Sequence, residues 1–425
     1  MKKQNIVVIA SYPPQGKKHH HSVVGGAWYA KNTVDALQKM LNKHHKEHQY
    51  SITVLAEQLE GGTFAQYNED SIQVVRLWKR NSLLAFPRLL QEILFHQRYA
   101  NIILLEFELA MFGDQATLLL LPFFLFILRL FGKKIYCVCH QVIADLNTVS
   151  GHINLQENGW RIWILNIFQK IFYLLMFIPI NKAIVFDDAL KIRLQRIIKH
   201  PRIVVIPLAV ELFNTLVTRE QARKQLNIPE ENFVLLCFGF LAWYKGTDWL
   251  IQEFEIIPEE IKKGLFLIIA GGPNPNHKNK KFYQQYISKI EERCRVNNIP
   301  LTGFVEEKQI PLYFQAADLI IFPYRTFMSA SGPLSFALSF EKPFLVSEAL
   351  QEIFTTKDMQ DALAEKHLII KDFVFSLQDI NLIEKIQTIM HNRKYQQTLI
   401  DFAKTVKQKR IWDTIGEMYY HEIFE

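Results

Sequence analysis

The feature that most constrains this chain is a rhythm of short, unbroken apolar runs. They fall at 6–10 (IVVIA), 51–56, 72–77, 101–106 and 134–140, with shorter ones at 183–186 and 202–207. Each ends in a polar or glycine-containing loop, and most lead into a stretch of helical period. Continuous runs rich in β-branched residues are the mark of parallel strands covered on both faces. The connection 208–211 and the polar stretch 214–231 follow, and then the rhythm restarts at 233–238, 265–270, 317–322 and 344–347. Alternating strands and helices build a parallel sheet with helices on its faces. A single core stops growing at roughly 250–300 residues, and the chain has 425. The expected fold class is α/β, with two doubly wound, Rossmann-like domains facing a central cleft. The expected domains are residues 1–208, residues 209–400, and a closing helix within 401–425 that crosses back to the first domain.

Composition narrows the function classes. A hydrophobic fraction of 49% with 21% charged residues belongs to a globular protein rather than a disordered one. The net charge of +7 favours anionic partners, but the basic residues are scattered and form no nucleic-acid motif. Cys137, Cys139, Cys237 and Cys294 match neither a zinc pattern nor a disulfide framework, so a reduced, cytoplasmic setting is expected. The N-terminal apolar run stops at Pro13-Pro14 and reads as a first strand, not a signal peptide. Two strongly apolar stretches, 116–131 and 162–180, carry Pro122 and Arg129, and Asn166, Gln169 and Lys170. About 20 uninterrupted apolar residues are needed to span a bilayer, so both read first as buried helices flanking the sheet. A second reading keeps their aromatic faces at an anionic membrane surface, as a peripheral contact.

In an open α/β sheet, ligands gather at the carboxyl ends of the strands, which directs attention to particular residues. Gly25-Gly26 opens a helix after the first strand. The run Lys17-Lys18-His19-His20-His21 just before it reads as a solvated loop. Glu106 and Glu108 close the 101–106 strand and point the same way, with two readings: one caps the next helix, or one meets a sugar hydroxyl or acts as a base. His140 sits at the tip of 134–140, either as a satisfied core histidine or as a ligand contact. Lys245-Gly246 precedes a helix, where a lysine neutralises phosphate. The stretch 322–347, FPYRTFMSASGPLSFALSFEKPFLVS, runs strand, small-residue loop, helix, strand. Free amides and the positive end of the helix there suit an anion, with serine hydroxyls as further partners.

The order of these motifs resembles the GT-B fold glycosyltransferases, and among them the retaining family 4 group, over nearly the whole chain. Gly25-Gly26 resembles the N-terminal glycine loop near the donor diphosphate, and PLAVE at 207–211 the interdomain segment. FGFLAWYKGTDWLI resembles the segment whose lysine binds the diphosphate, here Lys245. TGFVEEKQIPLYFQAADLIIFPY resembles the block whose Gly303, Phe304 and Val305 border the nucleotide base. Two departures stand out. Phe240 replaces the family's arginine, and the usual glutamate pair is missing, with Met328 or Ser329 at the first place and Phe336 at the second. The chain is closer to a subgroup with P-Y-R and S-x-S-G motifs, here 323–325 and 329–332, and an upstream segment at 107–113.

The resemblance implies transfer of a hexosyl unit from a nucleoside-diphosphate sugar to a glycan or lipid-linked acceptor, with retention. The donor would be held by Gly25, Gly26, Lys245, Gly303, Phe304, Val305, Arg325, Ser329, Ser331, Gly332, Pro333 and Leu334. Lys245 and Arg325 would stabilise the departing diphosphate, with Arg325 supplying the charge lost at Phe240, and His140 and Glu108 would serve the acceptor. No metal and no bound cofactor is expected, because the protein itself neutralises the leaving group. Two rival readings are a non-catalytic GT-B subunit that stabilises a partner transferase, favoured by the missing glutamates, and a sugar-nucleotide epimerase.

Overall fold

A computed structural model describes residues 3–17, 26–149, 159–199, 202–213, 217–274, 280–378 and 381–425. Gly25 and the histidines 19–21 lie outside these. The chain divides into two compact units. Met1–Leu146, Asn158–Pro207 and Trp412–Glu425 form one, and Leu208–Ile411 with Asn147–Glu157 the other.

The first unit holds an eight-stranded sheet in the order β3-β4-β2-β1-β5-β6-β7-β8. Its strands are β1 (Gln4–Ala10), β2 (Tyr50–Glu57), β3 (Ala65–Glu69), β4 (Ile72–Trp78), β5 (Ala100–Phe107), β6 (Lys134–Cys139), β7 (Lys182–Val185) and β8 (Ile203–Val205). All neighbours run parallel except β3, which is antiparallel to β4 at the edge. The inner strands are buried on both faces: β1 is covered at every residue after Gln4. That is why they read as unbroken apolar runs. β3 has no such run. Its sequence, AQYNE, alternates between half-buried and exposed, as an edge strand does.

Helix α1 (Ala27–Lys43) buries Ala30, Val34, Leu37 and Leu41, a helical stripe, against the sheet and the closing helix. The apolar stretch expected as one helix over 116–131 is two: α3 (Gln115–Leu118), capped by Asp114 onto the Thr117 amide, and α4 (Leu121–Leu130). They follow α2 (Ala85–Gln91). Pro122 lies in the first turn of α4, where a missing N–H costs no hydrogen bond, so it starts a helix rather than interrupting one. α5 (Gly159–Phe177) and α6 (Asp188–Ile197) follow. α5 corrects the expectation of a buried helix: Ile162, Phe172, Tyr173, Met176 and Phe177 are buried, but Trp160, Trp163, Phe168 and Leu174 face outward. Among the described residues no helix is long and apolar enough to cross a membrane.

The closing helix, Trp412–Phe424, belongs to this first unit. Gly416 lets it approach α1 closely; a Cβ there would sit 3.2 Å from Ala36 Cβ and 3.3 Å from Met40 Cγ. Tyr136 Oη donates to the Ile423 carbonyl at 3.0 Å, and Lys182 pairs with Glu422 at 2.6 Å.

The second unit holds a five-stranded parallel sheet, β10-β9-β11-β12-β13. Its strands are β9 (Phe233–Phe238), β10 (Leu265–Ala270), β11 (Leu319–Phe322), β12 (Phe344–Ser347) and the two-residue β13 (Val374–Phe375). The helices used below are α7 (Arg219–Gln225), α8 (Thr247–Glu255), α9 (Lys281–Val296), α10 (Ile310–Ala316) and α11 (Gly332–Ser339). Arg223 is fully buried and locks α7 to this sheet. It donates to the Ala316, Glu230 and Asn232 carbonyls and to Asp318.

Candidate active site

Each sheet has a point where the strand order reverses. In the first unit the chain moves outward from β1 through β2 to β4, then crosses to β5 on the other side of β1. In the second it moves from β9 to β10, then crosses to β11 on the other side of β9. At such points the loops leaving neighbouring strands diverge and open a crevice at their carboxyl ends. The predicted polar residues lie at these two points.

In the second unit, Gly239 follows β9 with φ +121°, a conformation that suits only glycine. A Cβ there would lie 2.7 Å from Lys245 Nζ and 3.0 Å from Pro333 Cγ. Gly239 thus leaves space for the lysine amine beside the first turn of α11. Lys245 itself is carried on the short turn Trp243–Lys245, and Gly246 ends that turn in the left-handed region, φ +68°. A Cβ on Gly246 would fall 1.9 Å from the Pro323 carbonyl oxygen, so only glycine lets this turn pack on the exit of β11. Lys245 is 9% exposed. Burial lowers its pKa to about 8. Its amine lies 5.8 Å from the Tyr324 ring centre, and no carboxylate pairs with it among the described residues. A buried cation with no anionic partner is the arrangement an anionic ligand completes.

Ser331 caps α11: its Oγ accepts from the Leu334 amide at 3.4 Å and lies 3.0 Å from Tyr324 Oη. Tyr324 is held in turn by Ser347, whose hydroxyl donates to the Tyr324 carbonyl at 2.5 Å. Pro333 occupies the first turn of α11 and Leu334 is buried below it, so the amide end of this helix is rigid. Ser329 and Gly332 are half-buried along the same loop.

Arg325 is placed differently from the role expected of it. Its guanidinium grips Asp248 through two bonds, 2.8 and 2.7 Å, and donates to the Trp243 carbonyl at 2.6 Å. It also lies 5.2 Å from the Trp243 ring centre. Tyr286 Oη adds a 2.9 Å bond to Asp248. Most of the guanidinium's donors are therefore spent on tying the β11 exit to the Lys245 turn. A planar fork matched to a carboxylate is a strong, directional tie. Arg325 holds Lys245 in place rather than offering a second open charge.

Phe240, in place of the expected arginine, stacks on Phe304 with ring centres 6.0 Å apart. Phe304 is partly exposed, and Val305 is buried behind it. Gly303 has φ +71° and turns the chain there. Gly272 allows close approach, since a Cβ would meet the Phe304 amide nitrogen at 2.6 Å. The lost positive charge is thus replaced by an aromatic surface. Phe336, at the place of the second expected glutamate, is buried against Phe238 and Phe314.

In the first unit, His140 Nε2 and Glu106 Oε2 are 2.7 Å apart. Glu106 is buried, and its Oε1 has no hydrogen-bond partner. A carboxylate bonded to Nε2 fixes the tautomer and leaves Nδ1 available. Nδ1 faces Gly26, where a Cβ would come within 3.0 Å of it and within 3.3 Å of Glu108 Oε2. Tyr29 and Phe186 box the imidazole, at 5.5 and 5.3 Å between ring centres. Burial raises the pKa of Glu108, opposed by the neighbouring His140 and by the Gly26 amide. Of the two glutamates, Glu106 is the one bonded to the histidine. Strand alternation pointed to the pair but could not say which carboxylate His140 would take.

Among the described residues no group of three or more His, Cys, Asp or Glu is placed to hold a metal ion. Residues 218–406 match the family model described as glycosyl transferases group 1. Mannosylfructose-phosphate synthase from Agrobacterium fabrum (strain C58) is 26% identical over 108 residues, 25% of this chain and 23% of that protein. The chain therefore matches about a quarter of that relative's length. Among solved structures, sucrose-phosphate synthase from Thermosynechococcus elongatus superposes with a TM-score of 0.72 at 16% identity, over 99% of each chain. Anabaena HepE in complex with UDP-glucose superposes with a TM-score of 0.63 at 14% identity, over 98% of each. The fold is that of the GT-B glycosyltransferases, and residues 218–406, within the second unit, match the glycosyl transferases group 1 model.

Proposed function

We propose that this protein is a glycosyltransferase that moves a hexosyl unit from a nucleoside-diphosphate sugar to a glycan or lipid-linked acceptor, with retention. The observation that carries this reading is Lys245, a buried amine with no carboxylate partner among the described residues, set over Gly239 beside the amide end of α11. The diphosphate binds there, and Lys245 with the Ser331–Gly332 loop stabilises the charge that develops as the sugar–phosphate bond breaks. Fixed donors aimed at developing charge are the largest source of rate in such reactions. The protein thus neutralises the leaving group without a divalent metal. Phe240 and Phe304 offer an aromatic surface to the nucleotide base, with Gly303 and Val305 shaping its edge. UDP-glucose bound to the similarly folded HepE supports a uridine nucleotide.

His140 and Glu108 receive the acceptor, with Glu106 as the positioning residue behind the imidazole. The acceptor is presented in the cytoplasm, at the inner face of an anionic membrane where it is lipid-linked. The non-catalytic reading is favoured by one observation: Arg325 is spent on Asp248 and so does not replace the charge lost at Phe240, while Phe336, at the place of the second missing glutamate, is core. Incubation with a panel of nucleotide sugars separates the two. Slow donor hydrolysis without acceptor is expected of the transferase, while failure to bind any donor would leave the partner-subunit reading. Interconversion of the sugars would make it an epimerase instead.

A further inference from the structure

The second helix of the α4–α5 pair is apolar on its exposed side as well as on its buried one. A surface helix normally turns its polar residues to solvent and its apolar stripe to the core. In α5 the two amide side chains are tied to the segment that precedes the helix, while apolar residues cover both its buried and its exposed sides. Asn166 accepts from the Leu146 amide at 2.8 Å and donates to Asp145 at 2.8 Å, and Gln169 donates to the Ile143 carbonyl. Trp160, Trp163, Ile167, Ile171 and Leu174 follow at helical spacing on the exposed side, with Trp163 66% and Ile171 47% exposed. α4, packed against α5, adds exposed Phe123 and Leu130, followed by Phe131. An exposed apolar surface of this extent marks an interaction site.

Charge says what covers it. From 115 to 144 and from 159 to 186 the sequence contains no aspartate or glutamate. The charged residues there are all basic, with Arg129, Lys134, Arg161 and Lys170 exposed. Apolar side chains with two tryptophans, flanked by Arg129, Lys134, Arg161 and Lys170 and with the exposed Asp145 tied to Asn166, suit the interface of an anionic bilayer: rings among the headgroups, cations on the phosphates. A protein partner of matching shape would call for some polar complementarity, and a second copy would bring its cations against these.

We infer that the exposed faces of α4 and α5 dock the first unit onto an anionic phospholipid bilayer. This deepens the reading of a lipid-presented acceptor and rests on it only for its purpose. Binding is therefore measured without donor or acceptor, so its failure is distinguishable from failure of the transferase reading. The test is flotation of the full chain with phosphatidylcholine vesicles containing about 30% phosphatidylglycerol, against pure phosphatidylcholine. Binding to the anionic vesicles is expected, weakening as salt rises from about 0.1 to 0.5 M. The double variant Trp163→Ser, Phe168→Ser should lower it about tenfold, with an unchanged circular dichroism spectrum and unchanged nucleotide binding. Arg161→Glu with Lys170→Glu should lower it on anionic vesicles as well. Three results would overturn the inference: no flotation at low salt, flotation indifferent to all four substitutions, or a dimer in sedimentation velocity that the serine variant dissociates.

Discussion

At the scale of the residue, two side chains are held in unusual states by named neighbours. Lys245 keeps its amine buried, and its pKa falls to about 8 from the ordinary 10.5. The sign follows. The charged form is penalised by burial below pH 8, and the penalty lifts as pH rises from about 8 to 10.5, so the empty protein gains stability across that window. His140 is set by Glu106, which bonds Nε2 and aims Nδ1 at Gly26. The variant Glu106→Gln keeps the shape and removes the charge. Its kcat is expected to fall on the order of tenfold or more while KM for the donor stays unchanged. A loss of donor affinity in this variant, measured by steady-state kinetics, would show Glu106 to be a structural group of the whole fold. The sequence made the positions of Lys245, His140 and Glu108 in the fold legible, because strand tips and helix starts follow from the apolar rhythm. It could not show that Arg325 turns to Asp248, since the two are 77 positions apart and only the sheet brings them together.

At the scale of the element, the Arg325–Asp248 pair fastens the loop after β11 to the first turn of α8, and Gly246 makes room for it. A thermodynamic cycle of Arg325→Ala, Asp248→Ala and the double variant should give a coupling of about 1–3 kcal/mol in thermal denaturation. Each single variant should weaken nucleotide binding less than Lys245→Ala. If Arg325→Ala abolishes binding as completely as Lys245→Ala, the guanidinium contacts the ligand directly. Most strands were legible because parallel strands buried on both faces leave unbroken apolar runs. β3 was not, because an edge strand such as AQYNE is half-wet and polar. The segment before Gly303 adds only an isolated bridge to the sheet, Leu301 to Ile269. The direction of α5's apolar stripe was also hidden, because composition alone cannot say whether such a stripe meets the core or the solvent.

At the scale of the whole molecule, the chain returns after its second unit to finish the first. Trp412–Phe424 packs on α1 across Gly416, with Tyr29 Oη and Tyr419 Oη 3.3 Å apart. Gly416→Val would press into Ala36 and Met40, and a cost of about 1–3 kcal/mol is expected. Chemical denaturation followed by the tryptophans checks it, and an unchanged midpoint would contradict the packing. The central claim concerns the second unit: Lys245 and the α11 loop bind the diphosphate of a nucleotide sugar. Calorimetric titration of UDP tests it most directly, in two buffers of different ionisation enthalpy at pH 8.5. The protein should bind and take up a proton, because an anion beside Lys245 raises its pKa above the free value of about 8. Lys245→Ala should bind at least about tenfold more weakly, with no uptake. Equal binding by both proteins, or uptake that persists in the variant, would contradict the account.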